Sequence, residues 1–282
     1  MSVDAIALPA SFPVDSAKPD GARAVVSRPA EAVWMLRMEN APDNRLTPDF
    51  ITKSLLPALD HIETEYYKAC ERGMKQGSMI LAGEGTKGKF FSNGLQLELV
   101  GPGFWKDQYY HLVSRILTFP LSTVSAINGH CFAGGLCLAL ACDWRIVRPD
   151  RTWLSMNEIL FGAPIPAGLH AILANRLSSP VVTKVLLTGH KYVAQEALRD
   201  GLVDEIAKED GSEKCVERAI QVAKERSAFA ETGVLVAMKQ VLYAKTLAQL
   251  SIDEPSDLFQ RSVQDREDRA KALIAASTQA KL

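Results

Sequence analysis

The chain has 282 residues, 47% of them hydrophobic and 23% charged, with 32 basic against 33 acidic side chains and a net charge of −1. That length supports a sizeable core, as one domain with an appendage, and the even charge argues against a nucleic-acid partner or a polybasic membrane footprint. The first 21 residues carry Asp4 early and no basic run ahead of an apolar one, so they are expected to be a loosely ordered arm and not a secretory signal. Two strands are predicted at Ala22–Ser27 and Ala32–Met38, broken at Arg28-Pro29, followed by a loop through ENAPDNRLTP. Apolar residues at helical spacing (Phe50, Leu55, Leu56, Leu59, Ile62) predict a helix from Pro48 to Gly73. Ser78–Gly83 is a short apolar run typical of a strand buried on both faces. A glycine-rich loop, EGTKGKFFSNG, leads to an aromatic-rich helix predicted over Phe104–Thr118.

Next come a strand at Leu121–Ile127, a helix at Phe132–Leu140 and a strand at Trp144–Arg148. No Lys, Arg, Asp or Glu lies between Ile116 and Cys142, but Pro120, Asn128-Gly129, His130 and Gly134-Gly135 interrupt the stretch, which fits strand, turn and buried helix better than a membrane span. Beyond Pro166 the pattern is helical apart from a strand candidate at Leu202–Ile206, with helices at Lys214–Arg226, Gly233–Leu250 and Ser256–Ser277. Alternating strands and helices point to βαβ units and a mainly parallel sheet. The expected organisation is an arm over 1–21, an α/β core over 22–210 and a helical region over 211–282.

Five cysteines (Cys70, Cys131, Cys137, Cys142, Cys215) form no C-x-x-C pair, and three fall in the apolar stretch, which reads as buried thiols and not as zinc ligands or disulfides. The five histidines show no metal-ligand spacing, and His130 is expected to be a hydrogen-bonded structural residue. Trp153 and the run Phe104, Trp105, Tyr109 and Tyr110 are read as core packing, with an acyl tunnel as the other possibility.

Two glycine turns stand out, Ser92-Asn93-Gly94-Leu95 and Asn128-Gly129 followed by Gly134-Gly135. Glycine lets the backbone approach a ligand and present its N–H groups. One N–H from each turn could converge on a single oxygen as an oxyanion hole; the plainer reading is tight turns and close helix packing. Glu158 is the sole acid between Arg151 and Arg176 and sits in the apolar setting MNEILFG, where desolvation would raise its pKa toward that of a general base. The plainer reading there is a helix-start glutamate facing solvent.

The segments KFFSNGLQL, AINGHCFAGGLCLALACDWRI, MNEILFG and HKYVAQEALRDGLVDEI, in this order over about residues 23–210, resemble the crotonase superfamily, the enoyl-CoA hydratase/isomerase fold. The resemblance implies a ClpP-like α/β spiral of ββα units with a helical C-terminal trimerisation region, hence a homotrimer or hexamer. It implies an acyl-CoA substrate, with coenzyme A belonging to the substrate, no separate cofactor and no metal. Motif matching puts the two oxyanion donors at the N–H groups of Leu95 and Gly134. Asn93, Gly94, Gln96, Leu97 and Gly135 would line the CoA and acyl passage. Arg45, in PDNRLT, falls where the family often contacts CoA; its alternative is a solvated loop arginine.

The departure from the family pattern concerns acids. Hydratases of the family usually carry two glutamates, and here the first position falls at Cys137 while the second is kept as Glu158. This is similar to the Δ3,Δ2-enoyl-CoA isomerase branch, in which one carboxylate performs both proton steps. The alternatives are a hydratase of the same fold, needing help from Cys137 or Glu98, and a non-catalytic acyl-CoA-binding member. The last three residues, Ala280-Lys281-Leu282, differ from the Ser-Lys-Leu peroxisomal address by one small-for-small change. They suggest a peroxisomal import receptor as partner, with a cytoplasmic location if the tripeptide is not read.

Overall fold

The computed structural model describes residues 9–84 and 89–279. It opens with β1 (Ala10–Pro13), β2 (Arg23–Ala30) and β3 (Val33–Glu39). The arm therefore contributes an edge strand: β1 pairs antiparallel with β2. Its anchor is the buried Ser54 hydroxyl, which donates to Phe12 O and accepts from Ala24 N at 2.6 Å. β2 runs through the predicted break at Arg28-Pro29, and a register shift between Ser27 and Ala30 absorbs the proline.

The predicted long helix forms as α1 (Pro48–Phe50), a π turn (Ile51–Leu55) and α2 (Leu56–Glu71). Pro57 has no N–H to return to Lys53 O, and the Leu56 N–H reaches five residues back to Ile51 O. Then follow β4 (Ser78–Gly83), β5 (Phe90–Ser92), a second π turn (Phe104–Tyr109), α3 (Tyr110–Leu117), β6 (Ser122–Ile127), β7 (His130–Phe132), α4 (Gly134–Ala141), β8 (Trp144–Val147) and β9 (Leu154–Ser155). The remainder is α5 (Ala167–Arg176), α6 (Ser179–Thr188), α7 (Ala194–Arg199), β10 (Glu205–Ile206), α8 (Ser212–Arg226), α9 (Val234–Leu242), α10 (Ala244–Leu250) and α11 (Leu258–Gln279).

The strands form a seven-stranded sheet in the order β1-β2-β3-β4-β6-β8-β10 and a three-stranded sheet in the order β5-β7-β9. From β3 to β10 the large sheet is parallel, as is all of the small one. The chain alternates between them: a strand in the large sheet, a short strand in the small sheet, then a helix. β4-β5-α3, β6-β7-α4 and β8-β9-α5 are three turns of a ββα spiral, the architecture of the crotonase fold.

Both faces of the large sheet are covered, which is why its central strands read as unbroken apolar runs. On one face Val33, Met35, Ile80, Val124 and Ile146 pack against α8 through Cys215, Val216, Ala219, Val222 and Ala223. On the other face Trp34, Leu36, Met38, Met79 and Leu81 join the main core with α2, α3 and α4. The core thus continues past residue 210 into α8. Among the described residues no helix is long and apolar enough to cross a membrane.

Candidate active site

The three short strands of the small sheet end side by side, and each carboxyl end delivers one of the predicted groups. β5 leads to Leu95, β7 to Gly134 and β9 to Glu158. The order β5-β7-β9 puts the Gly134 end between the other two. Carboxyl ends of parallel strands are the usual place for a ligand site, because loops and helix starts converge there with free N–H groups.

The middle end is bent into place. Ala133 takes φ 53° and ψ −129°, a conformation costly for a side-chain-bearing residue. It is held by its N–H to Ser155 O at 2.8 Å and by its carbonyl, which accepts from Leu136 N at 2.9 Å and Cys137 N at 3.2 Å. The helix predicted from Phe132 therefore begins at Gly134, after this corner. Among the described residues neither the Gly134 nor the Leu95 N–H donates a hydrogen bond. The two turns touch: a Cβ on Gly94, at φ +82°, would stand 2.7 Å from Ala133 Cβ and 3.3 Å from Gly134 N.

Glu158 opens a single 3-10 turn (Glu158–Leu160) and is 7% exposed. Its Oε2 is shut off from solvent and has no hydrogen-bond partner among the described residues. Burial raises its carboxyl to about 7, with its own backbone N–H pulling the other way. Cys137 is fully buried with Sγ 3.9 Å from Met156 Sδ. Its thiol is pushed up by burial and then by the neighbouring Glu158, so it remains a protonated packing group.

Leu95, Gly134 and Glu158 line one cavity of about 380 Å³ together with Arg45, Asn93 and Leu97. Its apolar wall is Trp105, Phe161, Pro164, Pro166 and Leu169. A neighbouring cavity of about 440 Å³ shares Leu97, Trp105, Phe161 and Pro164 and reaches Pro255 and Leu258 at the start of α11. Trp105, for which the sequence offers core packing and an acyl passage, is both buried and part of the wall; Phe161, Pro164, Pro166 and Leu169 carry no sequence signal beyond their apolarity.

Gly94, Gln96 and Gly135 are not among the residues lining this cavity. Gly94 and Gly135 serve close packing: a Cβ on Gly135 would lie 2.8 Å from Ser92 O. Gly129 does the same, since a Cβ there would meet Lys89 O at 2.5 Å. Asn128 closes the end of β4, accepting from Gly83 N at 3.0 Å and donating to Gly83 O at 3.2 Å. The Asn128-Gly129 pair thus passes the chain from the large sheet to the small one. Arg45 is already engaged within the protein, with Asp43 Oδ2 at 3.2 Å and Leu95 O at 3.1 Å. His130 stacks on Trp153 and Phe132 and accepts the Trp153 N–H at its Nδ1. Among the described residues no three His, Cys, Asp or Glu side chains are grouped to hold a metal ion.

The profile of one protein family, enoyl-CoA hydratase/isomerase, matches residues 29–276. Enoyl-CoA delta isomerase 3 of Arabidopsis thaliana is 29% identical over 222 residues, covering 75% of this chain and 88% of that protein. The mitochondrial enoyl-CoA delta isomerase 1 of Homo sapiens is 32% identical over 206 residues, covering 70% of this chain and 64% of that protein. Among solved structures, an apo enoyl-CoA isomerase of Mycobacterium tuberculosis superposes with a TM-score of 0.68 at 23% identity, over 80% of this chain and 93% of that one, a likeness of fold.

Proposed function

The chain belongs to the enoyl-CoA hydratase/isomerase family, and from that premise we propose that it is a Δ3,Δ2-enoyl-CoA isomerase using Glu158 as its only acid–base group. The observation that carries this reading is the pairing of one buried carboxylate, tuned to about 7, with two unpaired amides on the same cavity. A 3-enoyl thioester has an acidified C2 proton, because the resulting anion is delocalised over the thioester and the alkene. Glu158 takes that proton, the Leu95 and Gly134 N–H groups stabilise the dienolate oxygen, and the same carboxyl returns the proton at C4. The double bond moves from C3–C4 to C2–C3 with no net gain or loss of protons or electrons. Preorganised amides of this kind contribute on the order of 10²–10³ in rate each. The apolar wall keeps water from competing for the intermediate.

The hydratase alternative needs a second group to deliver water. Cys137 is fully buried and is not among the residues lining the cavity, and Glu98, which lines it, is exposed. Purified protein given trans-3-hexenoyl-CoA should gain conjugated enoyl-thioester absorbance, and given trans-2-hexenoyl-CoA should lose little. Fast loss with the second substrate would make it a hydratase; silence with both across chain lengths would leave a binding protein. The rate should rise with pH and level off above about 7, because the base works only when ionised and burial has moved its titration up to that value. A profile flat from pH 5 to 9 would remove Glu158 as the base.

A homotrimer, or a hexamer built from two, is supported by the bare apolar side of α9. There Val234, Met238, Val241 and Leu242 fall at helical spacing and are 47%, 65%, 81% and 60% exposed. Light scattering at the 30.8 kDa of a single chain would sink this assembly. Peroxisomal import rests on Ala280-Lys281-Leu282, which lies outside the described residues. A fluorescent reporter carrying the last dozen residues that stays diffuse in the cytoplasm would dispose of it.

A further inference from the structure

The oxyanion-hole reading, on which this inference rests, depends on two peptide N–H groups that no side chain of their own can aim. Each donor residue is nevertheless gripped through its carbonyl by a side chain from elsewhere in the fold. Arg45 Nη1 donates to Leu95 O at 3.1 Å, and Tyr109 Oη donates to Gly134 O at 2.6 Å. These carbonyls belong to the next peptide, on the far side of each donor's Cα; the peptide that carries each N–H is held in turn by backbone donors. Leu46 N donates to Gly94 O at 2.8 Å, and Leu136 N and Cys137 N donate to Ala133 O. Hydrogen bonds accepted by a peptide's carbonyl polarise its N–H.

These grips belong to built networks. Arg45 Nε bonds Asp43 Oδ2 at 3.2 Å, and the same oxygen accepts from Asn93 Nδ2 at 2.7 Å. Ser92 Oγ donates to Asn44 O at 2.7 Å and Asn93 N to Asp43 O at 2.9 Å. The loop 43–46 is thus strapped along the turn 92–95. With Asp43 against it, the Arg45 charge is partly spent inside the protein, which weakens its case as a contact for a substrate phosphate. Tyr109 is fully buried, and burial raises its phenol well above the ordinary value, so the proton of its bond is retained. Its oxygen would also lie 3.3 Å from a Cβ on Gly134, so it forms the back wall of that corner.

We propose that Arg45 and Tyr109 are a pair of positioning residues, each fixing one amide donor so that the Leu95 and Gly134 N–H groups meet on a single thioester oxygen. Neither performs chemistry. The test uses the full-length protein and para-dimethylaminocinnamoyl-CoA, whose absorbance moves to the red when its thioester carbonyl is polarised. Bound to the wild type it should shift clearly. R45M and Y109F should each show a smaller shift and a kcat lower by about tenfold, with KM within about twofold, because misaimed donors are lost mainly in the transition state. R45K keeps the charge but not the guanidinium fork, and should recover neither shift nor kcat. Should R45M fail to fold, D43N releases the Arg45 fork with the charge in place and should also reduce the shift. An R45M protein that raises KM alone with an unchanged shift makes Arg45 an anion contact and overturns the proposal, as does a D43N protein with an unchanged shift. So does a Y109F protein with an unaltered shift. Absence of any shift in the wild type would instead count against the oxyanion hole itself.

Discussion

Glu158→Gln should lower kcat by about 10³ to 10⁴-fold while leaving acyl-CoA binding within a small factor, as read by steady-state rates and calorimetric titration of a saturated acyl-CoA. The amide fills the same space beside the cavity but cannot accept the C2 proton. The same substitution should make the protein more stable. Burial lifts the folded-state carboxyl from its ordinary 4.5 to about 7, so the folded state favours the protonated form. The contribution of Glu158 to stability is therefore full below 4.5 and is lost as pH rises through about 7. Urea unfolding should find E158Q equal to wild type at pH 4 and more stable at pH 8, by about 3 kcal/mol if the whole shift is expressed. A variant that kept its activity would remove Glu158 from the reaction. One that lost activity and was destabilised at pH 8 would mean that the unpartnered Oε2 has a partner in solution.

Gly94→Ala is the second large effect. Its φ of +82° costs an alanine about 1 kcal/mol or more, and the added methyl would press on Ala133 Cβ at 2.7 Å, Phe132 O at 3.1 Å and Gly134 N at 3.3 Å. Relief comes only by parting the two turns, which pulls the Leu95 and Gly134 N–H groups off a common oxygen. A fall in kcat of about 10² or more follows, because a misplacement near 1 Å already costs that much. Gly101→Ala, where a Cβ meets nothing within 4 Å, is the control and should alter neither rate nor stability. Equal behaviour of the two variants would mean that the contact between the turns has no part in catalysis.

Much of this is legible in the sequence. The apolar runs Ser78–Gly83 and Leu121–Ile127 had no polar face to spare, which forces burial on both sides and hence a covered parallel sheet; the strands formed within a residue of that reading. Glu158 was legible because an acid among Met156, Ile159, Leu160 and Phe161 has few ways to remain solvated. The missing acid at Cys137 was legible as a plain substitution in a recognisable pattern. Less visible were β5, β7 and β9, of three, three and two residues. Strands that short carry no periodicity, and their hydrogen bonds run to partners distant in the chain: to one another, to Asn44 and to Tyr192. The sequence pattern therefore places Phe132 in a helix and Asn128-Gly129 in the ligand turn, whereas Phe132 ends β7 and Asn128-Gly129 is the crossing between sheets. The edge strand Ala10–Pro13, inside the expected arm, is hidden for a similar reason: it is held by a hydroxyl forty-two residues from Phe12, at Ser54.

Local sequence by itself determined the chemical inventory of this protein: two glycine turns able to present amides and one carboxylate in apolar surroundings; that Cys137 stands where a second acid would be is what the family resemblance implies. The turns and the carboxylate follow from the residue types and their immediate neighbours, which set backbone freedom and desolvation. Only the tertiary structure decided that the three groups share one cavity. Leu95, Gly134 and Glu158 lie on three separate turns of the spiral, and their adjacency comes from hydrogen bonds between short parallel strands. It decided also that Arg45 turns inward to Leu95 O and that Tyr109 backs Gly134. Such pairings join residues far apart in the chain, and no local pattern encodes them.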